Sequence, residues 1–307
     1  MNQSAKRKHL EGAVSHINDA RRLKRKNASA VSIANSYFHA LNKIQTSIPR
    51  ALAGDGRPVG EVRAFQNMIL DCLKDRPDKL SDECISHLAG LNPMILSHKV
   101  LNDELYEPAL PIKEDLIKKA SSVHRKFRCR LNNFLENEAD VSSTSVANTL
   151  AELLYIVRSN IAHGEKTPRG PDLNKNKRDN AVCEVVIPTQ ELLIDLLLAF
   201  PSQRLASYGT LSPGEVNHCI VGGIPGKWKD CLLLGQIREE EGLKIYKWDT
   251  YGDEIAAKIL SSPDLPKRWG EIDRFEGARY GRGLTLACVD DQWIVANVYM
   301  GNDLSDG

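Results

Sequence analysis

The chain has almost no net charge, no long apolar run and no closely spaced cysteines, and each shortage removes a class of function. Its 41 basic and 40 acidic residues leave a formal charge of +1, too little for a global field that would draw in nucleic acid or an acidic membrane. The longest apolar stretch, Leu192 to Phe200, is broken by Asp195 and falls far short of the ~18–20 residues a membrane span needs. The early positive residues are not followed by an apolar run of about seven, so no secretory signal is expected. The seven cysteines are odd in number and scattered, without a C-x-x-C pair, which argues against a disulfide framework or a zinc ribbon. None of the eight histidines shows H-E-x-x-H or H-x-x-x-H spacing, so no metal is expected. These absences together fit a reducing cytoplasm, with no membrane partner.

Familiar catalytic motifs are missing as well. The stretch from Gly222 to Lys227 looks like a phosphate loop, but Val221 stands where its first glycine belongs and Trp228 where Ser or Thr is needed. Thr210 precedes Ser212 by two, so there is no G-x-S-x-G nucleophile elbow. No internal repeat is visible, and no cofactor is implied.

What is present is enough chain for two domains: 307 residues, 42% hydrophobic and 26% charged, close to ordinary globular usage. A cluster of Lys6, Arg7, Lys8, Arg21, Arg22, Lys24, Arg25 and Lys26 reads either as a solvated helix face or as a phosphate-contacting patch. To about Phe200 the apolar spacing is helical, as in Ala30, Ile33, Tyr37, Leu41 and Ile44. The clearest helix begins near Ser145 and ends at Gly164. A polar, turn-rich run from Glu165 to Asn180 predicts a mobile loop. Ala181 to Ile187 predicts a short strand, and Thr189 a cap for a helix from Gln190 to Phe200 that Pro201 stops.

Beyond Arg204 glycines become frequent and short β-type runs alternate with turns. Trp228 to Ile237, Leu243 to Trp248, Glu254 to Leu260, Leu284 to Val289 and Trp293 to Met300 predict strands, with Asp290-Asp291 as a tight turn and Pro263 to Phe275 as a helix. The expected fold is multidomain: an all-α helical bundle over residues 1–203, then an α+β unit with a small, partly closed β-barrel over residues 204–307.

Two segments of the second part carry chemistry. In Tyr208-Gly209-Thr210-Leu211-Ser212-Pro213-Gly214, after a short strand and before an expected helix at Glu215 to Ile220, glycines can turn backbone N–H groups toward an anion. In Asp273-Arg274-Phe275-Glu276-Gly277-Ala278-Arg279-Tyr280-Gly281-Arg282, a carboxylate sits among aromatics and arginines. With Gly226-Lys227-Trp228, the strand from Leu232 to Gly235 and Tyr299, these motifs resemble the gamma-glutamylcyclotransferase-like family, nearest its plant avirulence-induced and gamma-glutamylamine branch. The resemblance covers about residues 205 to 301. It implies a small barrel whose cavity takes a γ-glutamyl substrate and releases 5-oxoproline, with Glu276 as catalytic acid and base. It also implies Tyr208, Gly209, Thr210, Leu211, Tyr280, Arg282 and Tyr299 as substrate-binding residues.

The first part offers an alternative. Arg158 and His163 are five apart, about 140° around an ideal helix, and meet only if the helix loosens near Gly164. Asn160 and His163 share a face. The segment resembles the R-x4-H motif of HEPN domains, with Ser159 where Asn, Asp or His is usual. That resemblance implies a metal-independent ribonuclease or RNA-binding site at Arg158, Asn160 and His163, composite across a homodimer. On this alternative the chain is a defence- or toxin-like, RNA-directed protein and its second domain a sensor or regulator.

Overall fold

A computed structural model describes residues 3–47, 60–74, 143–162, 173–240 and 242–302, together with residues 122, 125, 126, 129, 130, 133 and 136. The chain divides into two compact units, one of Asp19–Leu197 and the other of Met1–Asn18 with Leu198–Gly307. The division expected from the sequence, at 203/204, keeps the whole amino-terminal segment with the helices. The structural one counts residues 1–18 with the barrel.

The first of these units is helical. Helix α1 (Gln3–Arg25) contributes its last part, followed by α2 (Ala30–Ser47), α3 (Glu61–Lys74), α4 (Ser143–Ala162) and α5 (Leu173–Leu197). Their apolar stripes bury Tyr37, Leu41, Phe65, Ile69, Leu150, Leu154 and Leu193. Polar side chains tie α2 to α5: Gln190 Nε2 donates to the Ala34 carbonyl at 3.1 Å, and the Tyr37 hydroxyl donates to Glu191 at 2.7 Å. Lys24 pairs with the same carboxylate at 3.0 Å.

Helix α5 corrects three local expectations. The strand expected at 181–187, the later part of the expected loop at 173–180 and the Thr189 cap all lie within this one helix, which runs through Pro188. Cys183, Val186, Ile187, Gln190, Leu193 and Ile194 are buried, and their three- and four-residue spacing is a helical stripe. Burying that stripe outweighs both the β-branched run and the roughly 3 kcal/mol that an internal proline costs. The earlier part of the expected loop, residues 165–172, lies outside the described residues.

In the other unit six strands form one sheet: β1 (Arg204–Ser207), β2 (Lys227–Glu240), β3 (Leu243–Trp248), β4 (Asp253–Ser261), β5 (Tyr280–Val289) and β6 (Gln292–Gly301). Their order is β3-β2-β4-β1-β6-β5. Pairing of β2 with β5, Leu232 against Cys288 and Leu233 against Ala287, closes five strands into a barrel, and β3 is appended to the far half of β2. Gly235 marks the fork, facing Asp253 of β4 and Trp248 of β3. A Cβ there would collide with the Lys247 carbonyl and the Tyr246 ring. Asp290 and Asp291 make the β5–β6 turn with φ of 47° and 59°, the left-handed pair that a two-residue hairpin requires.

Alternation along the strands sorts the side chains onto two faces. Leu233, Tyr246, Ile259, Ala287, Ala296 and Val298 fill the barrel. Leu205, Leu260 and Tyr299 face outward and bury Leu265, Trp269 and Ile272 of helix α6 (Leu265–Glu276). The helix expected at 215–220 is instead a series of turns followed by the four-residue helix Cys219–Gly222. Residues 3–18 of α1 reach the sheet through Asn18, whose side chain accepts from Leu284 N at 2.7 Å and donates to Leu284 O at 2.8 Å. Arg7 lies 4.9 Å over the Trp293 ring and donates to the Thr250 carbonyl at 2.8 Å.

Candidate functional site

A cavity of about 750 Å³ opens beside the carboxyl end of β1 and is lined by the loop after it, the start of β3 and the end of α6. The loop is pinned from within. Ser212 Oγ donates to the Ser207 carbonyl at 3.2 Å and lies 2.9 Å from Ser207 Oγ. Asn217 donates its backbone N–H to the Thr210 carbonyl and its side-chain amide to Thr210 Oγ1, each at 3.0 Å. His218 Nδ1 donates to the Leu211 carbonyl at 3.1 Å. The loop's carbonyls are thus engaged. The N–H groups of Gly209, Thr210 and Leu211 have no acceptor among the described residues, and all three residues line the cavity. Three consecutive unpaired amides are suited to anionic oxygen.

Glu276 is the last residue of α6. Gly277, with φ of 67° and ψ of −157°, ends the helix in a conformation essentially restricted to glycine, which costs a residue with a Cβ about 1–3 kcal/mol, and a short 3-10 turn leads into β5. The half-buried Glu276 lines the same cavity as the loop, and its carboxylate has no hydrogen-bond or ion-pair partner among the described residues. Burial, and then the neighbouring Asp273, push its carboxyl up to about 7. Its place at a helix carboxyl terminus acts in the same direction, since the dipole disfavours negative charge there. The group is therefore able to take and return a proton near neutrality.

Three of the remaining expected residues, Tyr208, Tyr280 and Tyr299, also line the cavity, but their hydroxyls are committed elsewhere. Tyr208 donates to the Tyr299 carbonyl at 3.0 Å, with the Lys244 carbonyl at 3.4 Å, and accepts from Tyr246 N at 3.2 Å. Tyr280 donates to the Lys244 carbonyl at 3.1 Å. Between them these phenols occupy the outer edge of β3. The Tyr299 hydroxyl donates to Asp273 at 2.6 Å. Burial raises all three phenols above their ordinary range, so they act as donors rather than bases.

Arg282, expected at the substrate, does not line the cavity. It holds Asp273 through both carboxylate oxygens, at 2.9 and 3.1 Å, and lies 4.4 Å over the Trp269 ring. It anchors α6 one turn before Glu276. Asp273, Ser207, Ser212, Asn217 and His218 were not anticipated as site residues. The i, i+3 spacing of Asp273 and Glu276 on one helix was the signal available for the first of them.

In the helical unit Arg158 lies on α4, half-buried, its guanidinium 5.3 Å over the Tyr155 ring. Asn160 is in the last turn of the same helix. His163 lies outside the described residues, so the expected Arg158–His163 juxtaposition does too. No group of His, Cys, Asp and Glu among the described residues could hold a metal ion, and none of their helices is long and apolar enough to cross a membrane.

No protein-family model matches the chain, and no curated protein matches it. Among solved structures it is similar to a variant of Kluyveromyces lactis allophanate hydrolase, at 10% identity and a TM-score of 0.26, over 80% of this chain and 52% of that one. The chain thus spans about half the length of that neighbour, and a likeness this faint bears on neither fold nor function.

Proposed function

We propose that the barrel is a gamma-glutamylcyclotransferase-like enzyme that releases 5-oxoproline from a γ-glutamyl amine, with Glu276 as its acid and base. The observation that carries this reading is the meeting, in one cavity, of an unpaired and desolvated carboxyl with three unpaired amides. The amides of Gly209, Thr210 and Leu211 receive the substrate's anionic oxygens, including the one that develops on the γ-carbonyl. Glu276 takes a proton from the α-ammonium, and the freed amine attacks the γ-carbonyl of its own chain to form the ring C–N bond. The γ-amide C–N bond then breaks as Glu276 returns the proton to the departing nitrogen, and the ring nitrogen gives its second proton to the released amine. The attack is intramolecular, so holding the chain folded supplies much of the acceleration.

The test is incubation of the full chain with a γ-glutamyl amine, with chromatographic detection of 5-oxoproline and free amine in equal amounts. Glu276→Gln keeps the shape of the side chain but cannot accept the proton, and should lower turnover at least ~10²-fold. Absence of 5-oxoproline from the wild-type reaction, or its survival in Glu276→Gln, overturns the reading.

A further inference from the structure

Large apolar side chains stand in water at the edge of this cavity. Phe275, one residue before Glu276, is 41% exposed, and Leu243, at the first position of β3, is 37% exposed. Both line the cavity. Val216, 80% exposed, lies in sequence between the lining residues Glu215 and Asn217. Apolar surface left uncovered beside a concave site is the usual mark of a ligand's apolar part. The cavity's size agrees: 750 Å³, at roughly 30 Å³ for each water-sized group, has room for on the order of 25 such groups. A glutamyl group fills well under half of that.

Chemistry says which half of the substrate meets these side chains. Glu276 protonates the departing nitrogen, so whatever is attached to that nitrogen must pass the residues flanking Glu276, and Phe275 is its neighbour in the chain. The polar groups suited to the glutamyl half, Glu276 and the three amides, are already accounted for. Of the other charged residues that line the cavity, Asp230 and Lys258 neutralise one another at 2.6 Å, and Glu215, Lys244 and Arg279 line it as well.

Resting on the cyclotransferase reading, we infer that Phe275 and Leu243 form an apolar subsite for the amine half of the substrate, and that the preferred substrates are γ-glutamyl amides of aliphatic or aromatic hydrocarbon amines. γ-Glutamyl amino acids and hydroxylated amines would leave this surface against polar groups it cannot satisfy.

The experiment compares γ-glutamyl isopentylamide, γ-glutamyl ethanolamide and γ-glutamylglycine with the full-length protein. Turnover is followed by amine release, and binding by calorimetry on Glu276→Gln. The isopentylamide should exceed the other two in kcat/KM and in affinity by about 10-fold or more, the scale set by a few methylenes in an apolar pocket. Phe275→Ser and Leu243→Ser, at exposed positions that leave the core intact, should each lower the isopentylamide-to-ethanolamide ratio roughly three- to ten-fold. Equal rates and equal binding for all three compounds overturn the inference and leave the cyclotransferase reading standing. Hydrocarbon-dependent binding that Phe275→Ser abolishes, with no turnover of any compound, keeps the apolar subsite and overturns the cyclotransferase reading. No turnover and no hydrocarbon-dependent binding overturn both.

Discussion

Glu276→Gln should make the barrel more stable, and only at neutral and alkaline pH. The carboxyl is raised from 4.5 to about 7 in the folded protein. Between those values the native state holds a proton that the unfolded chain has released, so folding is favoured most at low pH and less as pH climbs to about 7. Above 7 the ionised, half-buried carboxylate opposes folding in full. A displacement from 4.5 to about 7 is worth at most about 3.5 kcal/mol at 1.36 kcal/mol per pK unit. Water still reaches part of the side chain, and screening brings the expected effect to about 1–2 kcal/mol. Glutamine imitates the protonated acid and carries none of this cost. Urea unfolding followed by indole fluorescence reads the barrel alone, because Trp228, Trp248, Trp269 and Trp293 are the chain's four tryptophans and all fall within residues 198–307. The wild type and Glu276→Gln should unfold at nearly the same midpoint at pH 5 and diverge at pH 8.5, with the variant the more stable. Equal midpoints at both values, or a variant less stable at pH 8.5, would refute the argument that Glu276 is desolvated.

The same carboxyl predicts an activity profile: kcat/KM should rise with pH through about 7 as the base ionises, and Asp273→Asn, by removing the second cause of the raised value, should move that rise to lower pH. A profile centred near 4.5 in the wild type, or unmoved in Asp273→Asn, contradicts the arrangement. Asn18→Ala leaves Leu284 N–H and C=O without the partners described above, so the indole-monitored transition should lose about 1–3 kcal/mol. A change smaller than about 0.5 kcal/mol, the scale of an ordinary surface substitution, would show that α1 contributes nothing to the barrel.

Local signals made most of the barrel legible. The alternation in Leu243 to Trp248 and the Asp290-Asp291 turn each describe an element by its own residues, and the strands stand where those patterns put them. Helix α5 was legible only from Gln190 on, because its polar start and Pro188 speak against a helix while the stripe from Cys183 to Ile194 speaks for one only when a partner buries it. A small barrel was expected, but the pairing that closes it was hidden for a different reason: Leu232 against Cys288 joins positions far apart in the chain, and strand alternation does not encode a neighbour. At the site, Glu276 and the loop at Gly209 were marked by their motifs. The partners of Tyr208, Tyr280 and Arg282 were not, since two are backbone atoms of β3 that come within reach only through its register, and the third is a carboxylate presented by α6.

The appended strand β3 has an implication for solubility. A strand at the end of a sheet offers unpaired N–H and C=O groups as a template on which another chain can assemble. Here the phenols of Tyr208 and Tyr280 cover the Tyr246 N–H and the Lys244 carbonyl, so two residues of the cavity wall also block that template. A tyrosine lost from this wall therefore uncovers a sticky edge at the moment it loosens the site.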